Sequence, residues 1–188
     1  PVAVGRVAVA RRQRLALGCA VLPEPPIVFL DDPTGGVDPV SRRQFWDLIG
    51  ALAERGVTVL VTTHYLDEAE HCHRLAIIHR GQMVALGSAS ELKGVFADRP
   101  ILEVQSARPV DTMAALERLP DIEKTSIFGT TVHAVLRHAG VDLAQVKAAL
   151  EAQGLPVVAV NIVTPSLEDV FLDVVERREQ HAGGGQAA

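Results

Sequence analysis

The sequence predicts an α/β protein in which part of a parallel sheet is followed by a small ferredoxin-like α+β unit. Three observations carry this. Two short apolar runs flank an amphipathic helix between Ile27 and Val61, the strand–helix–strand order of a parallel pair. Composition shifts at Ala97–Pro100, which reads as a linker. From Ile101 to Val163 the pattern runs β-α-β-β-α-β, the ferredoxin-like order. With 188 residues, 48% of them hydrophobic, the chain can bury a core and is not composed like a disordered one. The domains expected are 1–96, 97–180 and a disordered tail over 181–188.

Each element has a local cause. Arg11–Leu22 reads as a helix with Leu15, Cys19 and Leu22 at helical spacing, ended by Pro23, Pro25 and Pro26. Ile27–Leu30 is a β-branched apolar run expected to be buried on both faces. Asp38 and Pro39 form an N-cap and first helical position, Phe45, Leu48, Ile49 and Leu52 the buried stripe, and Gly56 the stop. Val57–Val61 is the second buried strand. A short helix over Leu66–Cys72 follows, then a hairpin of Leu75–Ile78 and Met83–Leu86 around Arg80-Gly81. Ser88 and Glu91 make a capping box for a helix reaching Val95. In the second unit the strands are Ile101–Gln105, Ile122–Phe128, Thr131–Arg137 and Val157–Val163. The helices are Val110–Leu119 and Leu143–Gln153, with a final amphipathic helix after Pro165.

Composition narrows the function classes. A net charge of -5 and the lack of a long basic run argue against nucleic acid as a partner. Arg6, Arg11, Arg12 and Arg14 form one basic cluster, which reads as a solvated helix face before it reads as a phosphate site. The two cysteines, Cys19 and Cys72, make no metal-spaced pair and no disulfide framework, which fits a reducing cytoplasm; Cys19 is expected as a small buried thiol. No apolar run approaches the ~20 residues needed to cross a bilayer, so any membrane link is expected through a partner.

Chemistry concentrates in Leu30-Asp31-Asp32-Pro33-Thr34-Gly35-Gly36-Val37-Asp38. Two carboxylates at the carboxyl end of a parallel strand stand where α/β proteins bind ligands. One can hold Mg²⁺ and the other can orient an attacking water; equally, two acids can end a strand and cap a turn. His64 closes the next strand. With Glu68 and His71 it also has the i, i+4, i+7 spacing of a helical metal site, and a structural histidine bonded to nearby backbone is a third reading.

The complete string resembles the Walker B and D-loop of ABC ATPases, whose pattern is Leu-Asp-Glu-Pro-Thr followed by a small-Gly-apolar-Asp loop. Val57-Thr58-Val59-Leu60-Val61-Thr62-Thr63-His64 resembles their switch-loop strand, and the run to Gln82 resembles their usual continuation. The ending Thr164-Pro165-Ser166-Leu167-Glu168-Asp169-Val170-Phe171 is similar to the C-terminus of ATP-binding subunits from the drug- and polysaccharide-export branch. The resemblance implies a partial P-loop NTPase-type sheet, the C-terminal half of an ABC ATPase domain. It implies ATP and Mg²⁺ as cofactors, with Asp31 on Mg²⁺, Asp32 at the base position and His64 on the γ-phosphate. Asp38 would lie at a dimer interface, and Gln13 is carried over as a nucleotide contact. The implied partners are a second ATP-binding subunit and a membrane-spanning permease, which would hold the chain at the cytoplasmic face of the membrane.

Three departures from that pattern matter. No Gly-x-x-x-x-Gly-Lys-[Ser/Thr] occurs, so the loop that cradles phosphate is missing from these residues. Val7, Ala8, Val9 and Ala10 occupy the positions of the Leu-Ser-Gly-Gly signature, where glycine permits close approach to phosphate. Asp32 stands in place of Glu, with a carboxylate one methylene shorter. The opening at Pro1 with no Met fits the expectation of a truncated or frame-disrupted ATP-binding subunit of an exporter, weakly active or inactive. The alternative, from another class, is a non-catalytic interaction or regulatory module on the same fold.

Overall fold

The computed structural model describes residues 9–184, which divide into two units, one ending at His71 and the other beginning at Cys72. The first unit contains α1 (Val9–Val21), β1 (Ile27–Asp31), α2 (Pro39–Glu54), β2 (Thr58–Thr62) and α3 (Leu66–Ala69). β1 and β2 pair in parallel with Ile27 opposite Thr58 and Asp31 opposite Thr62, and α2 makes the crossover. Asp38 caps α2 by accepting from the Ser41 N–H at 3.0 Å, with Pro39 in the first turn.

The parallel pair is as expected, but the strands are not buried on both faces. Val28 is buried, whereas Phe29 is 72% exposed and Leu60, opposite it in the register, is 56% exposed. The cause is coverage: α2 packs on one face, and successive side chains of a strand point to opposite faces. The buried stripe of α2 is Phe45, Trp46 and Ile49, while Leu48 is exposed. On α1 the buried residue is Leu17; Leu15 is exposed, as is Leu22 just past the helix end, and Cys19 is an exposed thiol instead of a buried one.

The second unit opens with the hairpin β3 (Leu75–His79) and β4 (Gln82–Gly87), whose turn places Arg80 at φ 49° and Gly81 at φ 75°. Two consecutive left-handed residues match the twist of the flanking strands. The capping box of Ser88 and Glu91 starts α4 (Ala89–Lys93), and a 3-10 turn over Gly94–Phe96 ends this segment. Then come β5 (Ile101–Ser106), α5 (Pro109–Leu116), β6 (Ile122–Phe128), β7 (Thr131–Leu136), α6 (Leu143–Glu151) and β8 (Val157–Val163). The sheet order β6-β7-β5-β8 is antiparallel throughout and ferredoxin-like, as expected. Its core lies under α5 and α6: Leu102, Val104, Ile122, Val132, Ala134 and Leu136 of the sheet meet Leu116, Val146 and Leu150.

α7 (Leu167–Gly184) engages the alternate side chains of the same strands. Asp169 bonds His133 at 2.8 Å, and Asp173 meets Lys124 at 2.8 Å and Arg99 at 3.1 Å. A register shift between Ile122 and Lys124 makes this arrangement. Ile122 pairs with Leu136 on the apolar side, and Lys124 pairs with Val135 on the side of α7.

Two boundaries differ from expectation. The second unit begins at Cys72, well before the linker expected at Ala97–Pro100, because α4 and β4 pack against α7 and Arg80 pairs with Glu179 at 2.7 Å. The helix continues to Gly184, through residues 181–184 of the expected disordered tail; residues 185–188 of that tail lie outside the described residues.

Candidate functional site

The parallel pairing places two strand ends side by side, with Asp31 opposite Thr62. The Thr62 hydroxyl donates to Asp31 Oδ1 and accepts from the Asp32 N–H at 3.0 Å. The same N–H also reaches the Thr62 carbonyl at 3.1 Å. One hydroxyl thus fixes the first carboxylate and the backbone of the second. Asp32 has φ 43°, a left-handed conformation that asparagine and aspartate tolerate better than most residues. That turn brings its Oδ1 to 3.2 Å from His64 Nδ1, both side chains remaining open to solvent.

Beyond Asp32 the chain turns tightly. The Gly35 N–H donates to the Asp32 carbonyl at 3.2 Å, and the Val37 N–H to the Thr34 carbonyl at 3.1 Å. Pro33, Thr34 and Val37 are buried and anchor the loop. Asp38 is exposed; the Ser41 N–H holds its carboxyl below the usual carboxylate range.

Asp31, Asp32 and His64 therefore share one place, at the carboxyl ends of β1 and β2. Asp38 stands at the start of α2, and Gln13 is half-buried on α1 beside Arg14, which donates to Gln44. Among the described residues the hydrogen-bonded group around Asp31 and His64 does not include Gln13. Of the signature positions, Val9 and Ala10 form the first turn of α1, while Val7 and Ala8 lie outside the described residues, as does Arg6 of the basic cluster. The helical metal spacing of His64, Glu68 and His71 is not realised. His64 precedes α3, His71 stacks on Trp46 with ring centroids 5.4 Å apart, and no metal-holding group of these residue types occurs among the described residues.

Sequence reasoning missed the residues that brace this site. Glu68 is buried, and its carboxylate accepts from Thr34 Oγ1 at 2.6 and 2.7 Å and from Thr63 Oγ1 at 3.0 Å. Arg42 Nε stands 3.1 Å from the same carboxylate. Thr62 had a legible signal as the hydroxyl ending the partner strand; Glu68 had only its spacing from His64.

Chemically, the strand ends offer hard oxygen donors, a carboxylate beside an imidazole, and hydroxyls with fixed directions. This set suits a hydrated divalent cation and a phosphate, since Mg²⁺ is commonly held through one or two carboxylates with water and phosphate oxygens.

Comparison with known proteins places these elements in context. Residues 87–175 match the C-terminal domain of DrrA1-3-like ATP-binding proteins. The chain is 32% identical to the daunorubicin resistance ATP-binding protein DrrA2 of Streptomyces coeruleorubidus, over 98% of this chain and 59% of that protein. It is 34% identical to the Nod factor export ATP-binding protein I of Paraburkholderia xenovorans (strain LB400), over 90% and 53%. A stretch of 87 residues is 52% identical to the probable multidrug ABC transporter ATP-binding protein YbhF of Escherichia coli (strain K12), covering 46% of this chain and 15% of that protein. A solved nucleotide-free ATP-binding cassette from an ABC transporter is 25% identical with TM-score 0.46, over 50% of this chain and 38% of that one. The chain spans little more than half the length of the relatives it matches nearly end to end. Over most of its length the chain is thus similar to the ATP-binding proteins of drug and Nod factor export, and residues 87–175 are similar to the C-terminal domain of the DrrA1-3-like ones.

Proposed function

We propose that this chain is the C-terminal part of an ATP-binding subunit of an ABC-type exporter, carrying the second half of a nucleotide site. The observation that carries the reading is the convergence of Asp31, Asp32 and His64 at the carboxyl ends of β1 and β2. In this proposal Asp31 holds Mg²⁺ together with the nucleotide phosphates, and Asp32 orients the attacking water. His64 meets the γ-phosphate, Gln13 contacts the nucleotide, and Asp38 serves the surface facing a second ATP-binding subunit. Bound Mg²⁺ would neutralise phosphate charge. The protein's own share is positioning: Thr62 fixes the direction of Asp31, and the Asp32–His64 pair keeps a proton-exchanging group beside the water site. A membrane-spanning permease would couple the subunit to export at the cytoplasmic face.

These residues on their own should turn over little ATP. They contain no Gly-x-x-x-x-Gly-Lys cradle, and Val7-Ala8-Val9-Ala10 replace a glycine signature. Calorimetric titration of the 188-residue chain with ATP and Mg²⁺ should give no binding at millimolar nucleotide. A micromolar dissociation constant would overturn the half-site reading. Joining the upstream segment of an intact relative, signature included, should restore binding with slow turnover. Asp32→Glu in that fusion should then raise the rate about 100-fold, the scale for moving a catalytic group by roughly 1 Å. Equal rates would show that Asp32 already serves as the base. The alternative of a non-catalytic interaction module draws on the self-contained core of the second unit; a fusion that never binds nucleotide would favour it.

A further inference from the structure

Among the described residues of the first unit, Glu68 is the one charged side chain that is buried, at 2% exposure, and the proposed chemistry makes no use of it. Its partners come from three separate stretches. Thr34 lies in the loop that follows Asp31 and Asp32, Thr63 immediately precedes His64, and Arg42 sits in the first turns of α2 behind Asp38. Both carboxylate oxygens are engaged, so the group cannot be replaced by water without leaving two hydroxyls and a guanidinium to re-pair. Thr63 Oγ1 also accepts from the Tyr65 N–H at 3.0 Å, which fixes the backbone on either side of His64.

The charge of Glu68 extends further through stacked groups. The Arg42 guanidinium, held by Glu68, lies over the Tyr65 ring at 4.0 Å from its centroid. On the Tyr65 ring packs the His64 ring, centroids 4.0 Å apart. His64 in turn presents Nδ1 to Asp32 at 3.2 Å. The exposed end of this chain is the candidate site, and the buried end is a single carboxylate.

We propose that Glu68 is a positioning residue for the candidate nucleotide site: it clamps the Asp32 loop to the His64 segment and, through the Arg42–Tyr65–His64 stack, sets the direction of His64 toward Asp32. The functional importance of that direction rests on the nucleotide-site reading above; the clamp itself does not. Its consequence is that the two sides of the site move as one body, since a shift of the His64 segment must carry Thr34 and the Asp32 loop with it. A clamp of this kind suits a histidine that has to hold one orientation while its neighbours are exposed to solvent and exchange phosphate oxygens.

Tyr65 and Trp46 are the only tyrosine and tryptophan in the chain, and this gives the test two single-site probes. The full chain is labelled with 3-fluorotyrosine, so that one ¹⁹F resonance reports the stack at Tyr65. Emission from Trp46, only 6% exposed, reports whether the unit's core is intact. Glu68→Ala should shift the ¹⁹F resonance most of the way to the position given by Arg42→Met, with Trp46 emission unchanged. His64→Ala should move it as well, and Glu68→Gln, which keeps a hydrogen-bonding head without the charge, should fall between wild type and Glu68→Ala. An unmoved resonance in Glu68→Ala with native Trp46 emission would overturn the proposal, as would an unmoved resonance in His64→Ala. If Glu68→Ala loses the native Trp46 emission, Glu68→Gln decides, and a wild-type resonance there overturns the role of the charge. No nucleotide enters this measurement. Its failure is therefore separate from failure of the calorimetric titration.

Discussion

The Asp32 carboxylate folds back over Gly35 so closely that a Cβ at residue 35 would stand 2.6 Å from its Oδ2. The obstruction is the far end of a short flexible side chain, so Gly35→Ala should displace the carboxylate and leave the backbone turn in place. Unfolding free energy should change by less than about 0.5 kcal/mol, as for other substitutions near a surface. The Asp32–His64 contact should be lost, seen as a change in the His64 ring resonances. Resonances identical to wild type would mean that residue 35 does not set the direction of Asp32.

The interface between α7 and the sheet should respond to pH. Burial alone would push His133 down, but the Asp169 carboxylate at 2.8 Å and Glu103 at 3.5 Å outweigh it and raise its pKa. A raised histidine contributes stability that is complete below its unfolded value of about 6.5 and is lost as pH rises through the folded value. Burial alone would raise Asp169, but His133 and Ser166 lower it, so its contribution is present above the ordinary carboxylate range and is lost as pH falls through its folded value. The melting temperature should therefore decline as pH rises above 6.5. His133→Gln should flatten that decline, and a slope equal to wild type would remove His133 as its source.

Asp173 is 1% exposed and meets Arg99, Lys124 and Arg177 within about 3 Å. Asp173→Ala leaves two partly buried cations facing each other without a counter-charge. Urea unfolding should show a loss of about 2–4 kcal/mol, somewhat below the usual cost of breaking a fully buried pair because Lys124 retains some water. Asp173→Asn should cost less. A loss near zero would show that α7 is held by Leu167 and Val170 alone.

The segment Cys72–Phe96 should stabilise the unit that follows it. A piece starting at Cys72 keeps the Arg80–Glu179 pair and the packing of α4 against α7, whereas a piece starting at Ala97 loses both. Both should melt cooperatively, the longer one at a higher temperature. Equal melting temperatures would restore the boundary to the Ala97–Pro100 linker.

The parts of the fold that depend on local signals were legible. The βαββαβ order follows from alternation and turn residues, and the strand ends carrying Asp31, Asp32 and His64 follow from apolar runs broken by polar residues. Burial was less legible, because it depends on what arrives from elsewhere in the chain. Phe29 and Leu60 read as core until the faces covered by helices are known, and Cys19 read as buried because its neighbours are apolar. Glu68 is the opposite case. A glutamate in Asp67-Glu68-Ala69-Glu70 reads as surface, and only the convergence of Thr34, Thr63 and Arg42 reverses that. The register shift at Ile122–Lys124, which separates an apolar face from a charged one, has no mark in the sequence at all.

That separation gives the two sides of the ferredoxin-like sheet different thermal behaviour. Detaching α5 or α6 exposes hydrocarbon, with the positive heat-capacity change and steep denaturant dependence that follow. Detaching α7 exposes carboxylates and their cations along with a few aliphatic side chains, and hydration of polar surface lowers heat capacity. The amides of α7 should therefore exchange with solvent through an opening whose enthalpy varies little with temperature and which salt accelerates. Those of β5 and β7 should exchange only when the whole unit unfolds.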